Sequence, residues 1–94
     1  MDPDGAGVPQ FEGTRVGVVT HFFDHVSVAV VMAEAAISTG DKIKIYDKTG
    51  NVVVEQVIES MEIDKQKKET VDAGMEFGLK VEGAVKEGYL VYRQ

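Results

Sequence analysis

From Glu76 to Glu82 the chain alternates without a fault: Phe77, Leu79 and Val81 fall on one parity, Glu76, Lys80 and Glu82 on the other. A period of two is that of a strand with one face in a core. Burying each of the three apolar side chains contributes roughly 1.5–3 kcal/mol. The same β-branched character recurs in short runs along the chain, at Arg15–Phe23, Val26–Met32, Lys42–Tyr46, Val52–Ile63 and Tyr89–Tyr92. Turn signals separate these runs about every ten residues, the spacing of an all-β domain. The pattern predicts a small closed barrel of six to seven strands, because closure removes the unpaired edges of a short sheet, with a sandwich as the alternative.

Individual segments sharpen that expectation. Asp24-His25 is expected to turn the first strand into the second, where Val26, Val28, Val30 and Met32 recur at period two between the smaller Ser27, Ala29 and Val31. The connector Glu34–Asp41 has room for one helical turn before Ser38, Thr39 and Gly40 stop it. Lys42-Ile43-Lys44-Ile45-Tyr46 reads as half-exposed, and Lys48-Thr49-Gly50-Asn51 as a hairpin turn. Apolar residues from Val52 to Ile63 sit on both parities, so one long strand there needs a bulge or a change of buried face near Gln56. Residues 1–14 hold both prolines and three glycines and read as a flexible tail; residues 15–94 form the domain.

Charge and composition exclude several functions. Sixteen acidic against ten basic residues leave a net charge of −6. A strong non-specific nucleic-acid binder neutralises about 6–10 phosphates, which these scattered cations cannot supply. With no Cys there is no disulfide, thiolate metal site or thiol nucleophile. No apolar run reaches the roughly 20 residues of a membrane helix, and no secretory signal is visible, so a cytoplasmic location is expected. A single Asn among many Lys and Glu leans toward a thermophilic composition.

Chemistry-bearing motifs are sparse. GTP binding would need a phosphate loop ending in Gly-Lys-Ser/Thr, and Thr39-Gly40-Asp41-Lys42 has the wrong spacing. His21, Asp24 and His25 bracket one turn, but such a set falls short of a zinc site and reads as solvated. The carboxylate pairs Glu59/Glu62 and Glu62/Asp64 would lie on an exposed strand face, where nothing drives their pKa values apart. No Ser stands with a His and Asp partner. No catalytic activity, metal or cofactor is therefore expected. The densest basic cluster is Lys65, Lys67 and Lys68, set among Asp64, Glu69 and Asp72.

Ile37-Ser38-Thr39-Gly40-Asp41-Lys42-Ile43-Lys44-Ile45 resembles the Gly-Asp strand entry of the second domain of translational GTPases. Residues 60–83 are similar to the next part of that domain in elongation factor Tu, with Glu62, Ala73-Gly74, Gly78 and Gly83 at matching positions. Val85–Val91 resembles its final strand. Short stand-alone elongation factor-like proteins, and the C-terminal barrel of a family of collagenase-like peptidases, look closer still. The elongation-factor resemblance implies a β-barrel that contacts a tRNA end or a ribosome-associated factor. Glu62 would then stack on the terminal adenosine, with Lys65 as the basic residue beside it. An Asn of that pocket falls on Glu76 and a Glu-Asp pair near Val16-Gly17, both departures. The expected contact residues are Glu62, Lys65, Lys67, Lys68 and Glu76. The alternative is an accessory domain that docks on an enzyme, as in the peptidase-linked barrels.

Overall fold

The computed structural model describes residues 11–94. Ten strands follow one another: β1 (Thr14–Phe23), β2 (Val28–Ala33), β3 (Ile37–Ser38), β4 (Lys42–Tyr46), β5 (Val52–Val57), β6 (Met61–Ile63), β7 (Gln66–Lys68), β8 (Thr70–Val71), β9 (Glu76–Lys80) and β10 (Leu90–Arg93). Eight form one antiparallel sheet in the order β5-β4-β10-β1-β2-β9-β6-β7, and β3 pairs with β8 apart from it. The all-β expectation holds, and no helix forms between Glu34 and Asp41. The closed six- to seven-stranded barrel does not. Strands β5 and β7 end the ladder and do not pair with each other, and short hairpins raise the strand number.

Burial follows the sequence where one parity alone is apolar. Phe77, Leu79 and Val81 are buried along β9 and its exit, as are Ile43 and Ile45 on β4. On β2 the faces are reversed from the simple period-two reading. Ala29, Val31 and Ala33 fill the core, while Val28, Val30 and Met32 lie half-exposed on the outside. Both parities of β2 are apolar, so the inner face goes to the smaller set, next to which neighbouring strands approach closely. Gly17 marks that approach, since a Cβ there would lie 2.7 Å from Val31 Cγ1 and 3.0 Å from the Met32 carbonyl oxygen. The first hairpin turn spans four residues, Asp24 to Ser27, rather than two, because Phe23 pairs with Val28. Phe11 stacks on Tyr92 at a centroid separation of 5.2 Å, and Glu12 donates its N–H to the Tyr46 hydroxyl.

The long run Val52–Ile63 breaks into two strands. Val54, Gln56 and Ile58 point inward from one parity, and Glu59-Ser60 then resets the phase so that Met61 is buried on the next strand. Gln56 is therefore not a bulge but a buried polar side chain facing the core seam. Its amide nitrogen donates to the Lys80 carbonyl oxygen at 2.9 Å, and its carbonyl oxygen accepts from the Glu82 N–H at 2.8 Å. One side chain thus ties the end strand β5 to the chain leaving β9, in place of a backbone ladder. Gly83 fits beside it, where a Cβ would come within 3.2 Å of Val54 Cγ2.

Candidate functional site

The charged excursion after Met61-Glu62-Ile63 is a tight hairpin, not a long loop. Met61 pairs with Lys68, Glu62 with Lys67 and Ile63 with Gln66, which leaves Asp64-Lys65 as a two-residue turn. Such turns need positive φ at both central positions. Asp64 and Lys65 adopt φ of 53° and 65°. Asp tolerates this region; Lys does so at a cost that Gly or Asn would avoid. Met61 anchors the hairpin in the core with the partly buried Ile63 packed beside it, and Gln66, Lys67 and Lys68 are exposed.

Four of the five expected contact residues, Glu62, Lys65, Lys67 and Lys68, thus share this hairpin. Glu76 stands on β9, beyond β6, near Gly78, the partner of Glu62. Its carboxylate accepts a hydrogen bond from the Thr20 hydroxyl at 2.8 Å. Among the described residues, Arg15, Lys42, Lys44 and Arg93 each reach a carboxylate, at Glu34, Glu55, Glu12 and Asp41. Lys65, Lys67 and Lys68 reach none. Behind β7 lies a groove of about 290 Å³ in which Lys67 and Lys68 face Thr39, Ser60 and the carboxylates of Glu59 and Glu69.

A second concave region lies between the β1–β2 hairpin and residues 84–87. His21, Phe22, Asp24, Ala84, Val85, Lys86 and Glu87 line a cleft of about 470 Å³. It adjoins, through Lys86 and Glu87, a smaller one of about 340 Å³ over Asp47, Lys48, Thr49 and Tyr89. Phe23 and Val26 project beside the first cleft, half-exposed. The hairpin tip carrying them is fixed: Lys80 Nζ donates to the Val26 carbonyl oxygen and the Val81 N–H to that of Ser27, each at 2.9 Å. No Ser or Thr lines this cleft, so its His and Asp have no hydroxyl to activate. Asp24 lies 3.4 Å from His25 Nδ1 with both side chains largely in solvent. Among the described residues no cluster of His, Asp and Glu is arranged to hold a metal ion, and no helix is long and apolar enough to cross a membrane.

The ionisation shifts produced by the fold belong to turns and surface pairs. Hydrogen bonds from the Thr49 side chain, then from the Asn51 backbone, hold the Asp47 carboxyl below its usual value. Glu34 raises Arg15, chiefly through their hydrogen bond, and Lys44 lowers Glu12 in the same way. Sequence reasoning missed Gln56, whose role depends on residues more than twenty positions away, and the length of the β1–β2 turn, since it assigned Val26 to the second strand.

No protein-family model matches the chain. It is 34% identical over 83 residues to an uncharacterised protease of Methanocaldococcus jannaschii; the alignment takes in 88% of this chain and 20% of that protein. The chain therefore spans about one fifth of the length of this curated relative. Its fold matches the C-terminal domain of a putative U32 peptidase from Geobacillus thermoleovorans with a TM-score of 0.79, at 13% identity, over 90% of this chain and 99% of that one. The selenomethionine variant of the same domain gives 0.76 at 16% identity, over 85% and 98%. These relatives are peptidase-linked, which corrects the reading as an elongation factor-like, translation-related protein. The structure supplies a reason: the positions matching the Glu-Asp pair are the fully buried Val16 and the tightly packed Gly17, and Glu76 replaces the Asn. What the chain shares with these peptidase domains is a fold.

Proposed function

We propose that this chain is a non-catalytic accessory β-domain of the kind carried by U32-type peptidases, and that it works by docking on a peptidase body. The observation that carries the proposal is the near-complete match to a domain that is itself only the C-terminal part of a peptidase, 99% of its length. The 34% identity to one fifth of a longer protease agrees with it. The polar groups of the described residues fit a supporting role. They cap turns and bridge strands, and the cleft beside the β1–β2 hairpin sets no Ser or Thr beside His21.

The test is to mix the purified full chain with the body of a U32-type peptidase produced without its own C-terminal domain. A one-to-one complex in analytical ultracentrifugation is expected, with no peptide hydrolysis by the chain alone. Absence of a complex at micromolar concentrations, or turnover by the isolated chain, would reject the proposal.

A further inference from the structure

We infer that the free edge of β7 is a docking edge for an extended acidic segment of the partner, which adds to the sheet beside Gln66–Lys68 while Lys65, Lys67 and Lys68 hold its carboxylates. The identity of the partner as a peptidase body rests on the accessory reading above; the edge and its chemistry do not.

Three observations converge on this hairpin. First, β7 ends the eight-stranded ladder, so among the described residues one side of Gln66–Lys68 has no strand partner before Glu69, whose carbonyl oxygen accepts from the Thr39 N–H. Such an edge is a template for another chain, and strand addition supplies affinity through main-chain hydrogen bonds. Second, the chain is strongly acidic, yet three of its ten cations fall within four residues here. Among the described residues none of the three forms an ion pair, as Arg15, Lys42, Lys44 and Arg93 do; Lys48, Lys80 and Lys86 form none either but stand singly along the chain. Third, the turn holds Lys65 at φ 65°, where Gly or Asn would sit with less strain. Lys contributes nothing to the turn geometry, so its charge is what distinguishes it there.

The register fits a peptide. Successive side chains of a strand point to opposite faces. Lys67 is paired with the exposed Glu62 and Lys68 with the buried Met61, and both border the groove that also holds Thr39 and Ser60. An added strand with carboxylates at neighbouring positions would meet one lysine on each face, with the two hydroxyls as further donors.

The same features disfavour the other occupants. A polynucleotide would need roughly 6–10 phosphate contacts, and three cations set among Glu59, Glu62, Asp64, Glu69 and Asp72 can serve only a segment that brings a few spaced carboxylates to the lysines themselves. A second copy of the chain, paired edge to edge, would set these lysines against each other, a device that keeps sheet edges from self-association. The edge thus rejects its own kind and accepts an acidic strand.

The experiment is a titration of the ¹⁵N-labelled full chain with a blocked peptide of repeating Glu-Glu-Thr-Thr, the Glu–Thr peptide, which sets carboxylates on both faces of a strand, with the Gln-Gln-Thr-Thr (Gln–Thr) peptide as control. The Glu–Thr peptide is expected to shift amides of residues 66–69. Its binding should weaken about tenfold or more in K65Q/K67Q/K68Q, as expected for loss of several partly screened ion pairs. Unchanged core amides show that the variant is folded, and K67E/K68E should instead bind a Lys–Thr peptide. Equal response to the Glu–Thr and Gln–Thr peptides, shifts confined to the His21–Asp24 and 84–87 cleft, or tighter binding of oligouridylate would overturn the inference. A parallel measurement with the peptidase body separates the two readings. If wild type and the triple variant bind it equally well, the docking edge is wrong and the accessory role stands. If the body is not bound but the Glu–Thr peptide still is, the accessory role is wrong and the edge stands.

Discussion

The two end strands of the sheet face the same physical problem and solve it differently. Strand β5 is six residues long, with Val52, Val53 and Val57 exposed, a combination that invites aggregation when left open. Its seam is sealed by the Gln56 amide, which satisfies one carbonyl and one N–H of the segment leaving β9. Strand β7 is three residues long, wholly exposed and bears two lysines, and no side chain of this kind bridges it to the rest of the fold among the described residues. The turns that launch the two strands differ as well. Asp47 accepts from Thr49 N, Thr49 Oγ1 and Asn51 N, and Gly50 takes the positive φ of 88°. The turn before β7 puts Asp64 and Lys65 there instead. A sheet that invests a buried polar side chain in one edge and leaves charge on the other has one edge for stability and one for contact.

The largest effect should come from breaking the sealed edge. Gln56→Leu leaves the Lys80 carbonyl and the Glu82 N–H without their partner, and each such loss costs about 1–3 kcal/mol. A destabilisation of about 2–4 kcal/mol is expected in urea unfolding, with wild-type behaviour returning only if an amide is restored. At the β1–β2 contact that sets the inner faces, Gly17→Ala should cost about 1–3 kcal/mol, since the new methyl meets both Val31 and backbone. Lys65→Gly should act in the opposite direction. Relief of the left-handed strain outweighs the added chain entropy by about 0.5–1 kcal/mol, so a raised unfolding midpoint is expected. Lys67→Gln with Lys68→Gln should leave stability within about 0.5 kcal/mol, as for exposed charges generally, while weakening partner binding.

The smallest effect concerns the turn that starts β5. Because the Asp47 carboxyl is held below its usual value of 3.8, the stability it contributes is present above that pH and is lost as pH falls through the lower folded value. Asp47→Asn should therefore lower stability slightly at neutral pH, where the ionised carboxylate contributes, and flatten the fall below pH 3.8, so that thermal melts of variant and wild type converge in acid.

How much of this was legible in the sequence depended on whether burial acted on one parity alone. Strands β4 and β9 were legible because their polar and apolar residues alternate strictly. On β2 both parities are apolar, and the choice of inner face was made by close approach of other strands, which no local pattern encodes. Strand β7 carries no apolar residue at all, so nothing in Gln66-Lys67-Lys68 signalled a strand, and a Lys in the turn hid the hairpin. The basic cluster itself was visible, but not that it lies on an unpaired edge. Gln56 looked like an interruption of a long strand, since its partners lie at Lys80 and Glu82. The resemblance to a translation-factor domain was carried by Gly-Asp entries and glycine spacing. Those features mark strand turns and close packing, and they do not distinguish a tRNA-binding barrel from a peptidase-borne domain.

The most direct test is hydrogen–deuterium exchange of the full chain with and without a U32-type peptidase body. The account predicts slow exchange along β5 in both states, and protection of residues 64–69 that appears only in the complex. Protection that appears instead at β5, or at the cleft between the β1–β2 hairpin and residues 84–87, would contradict it.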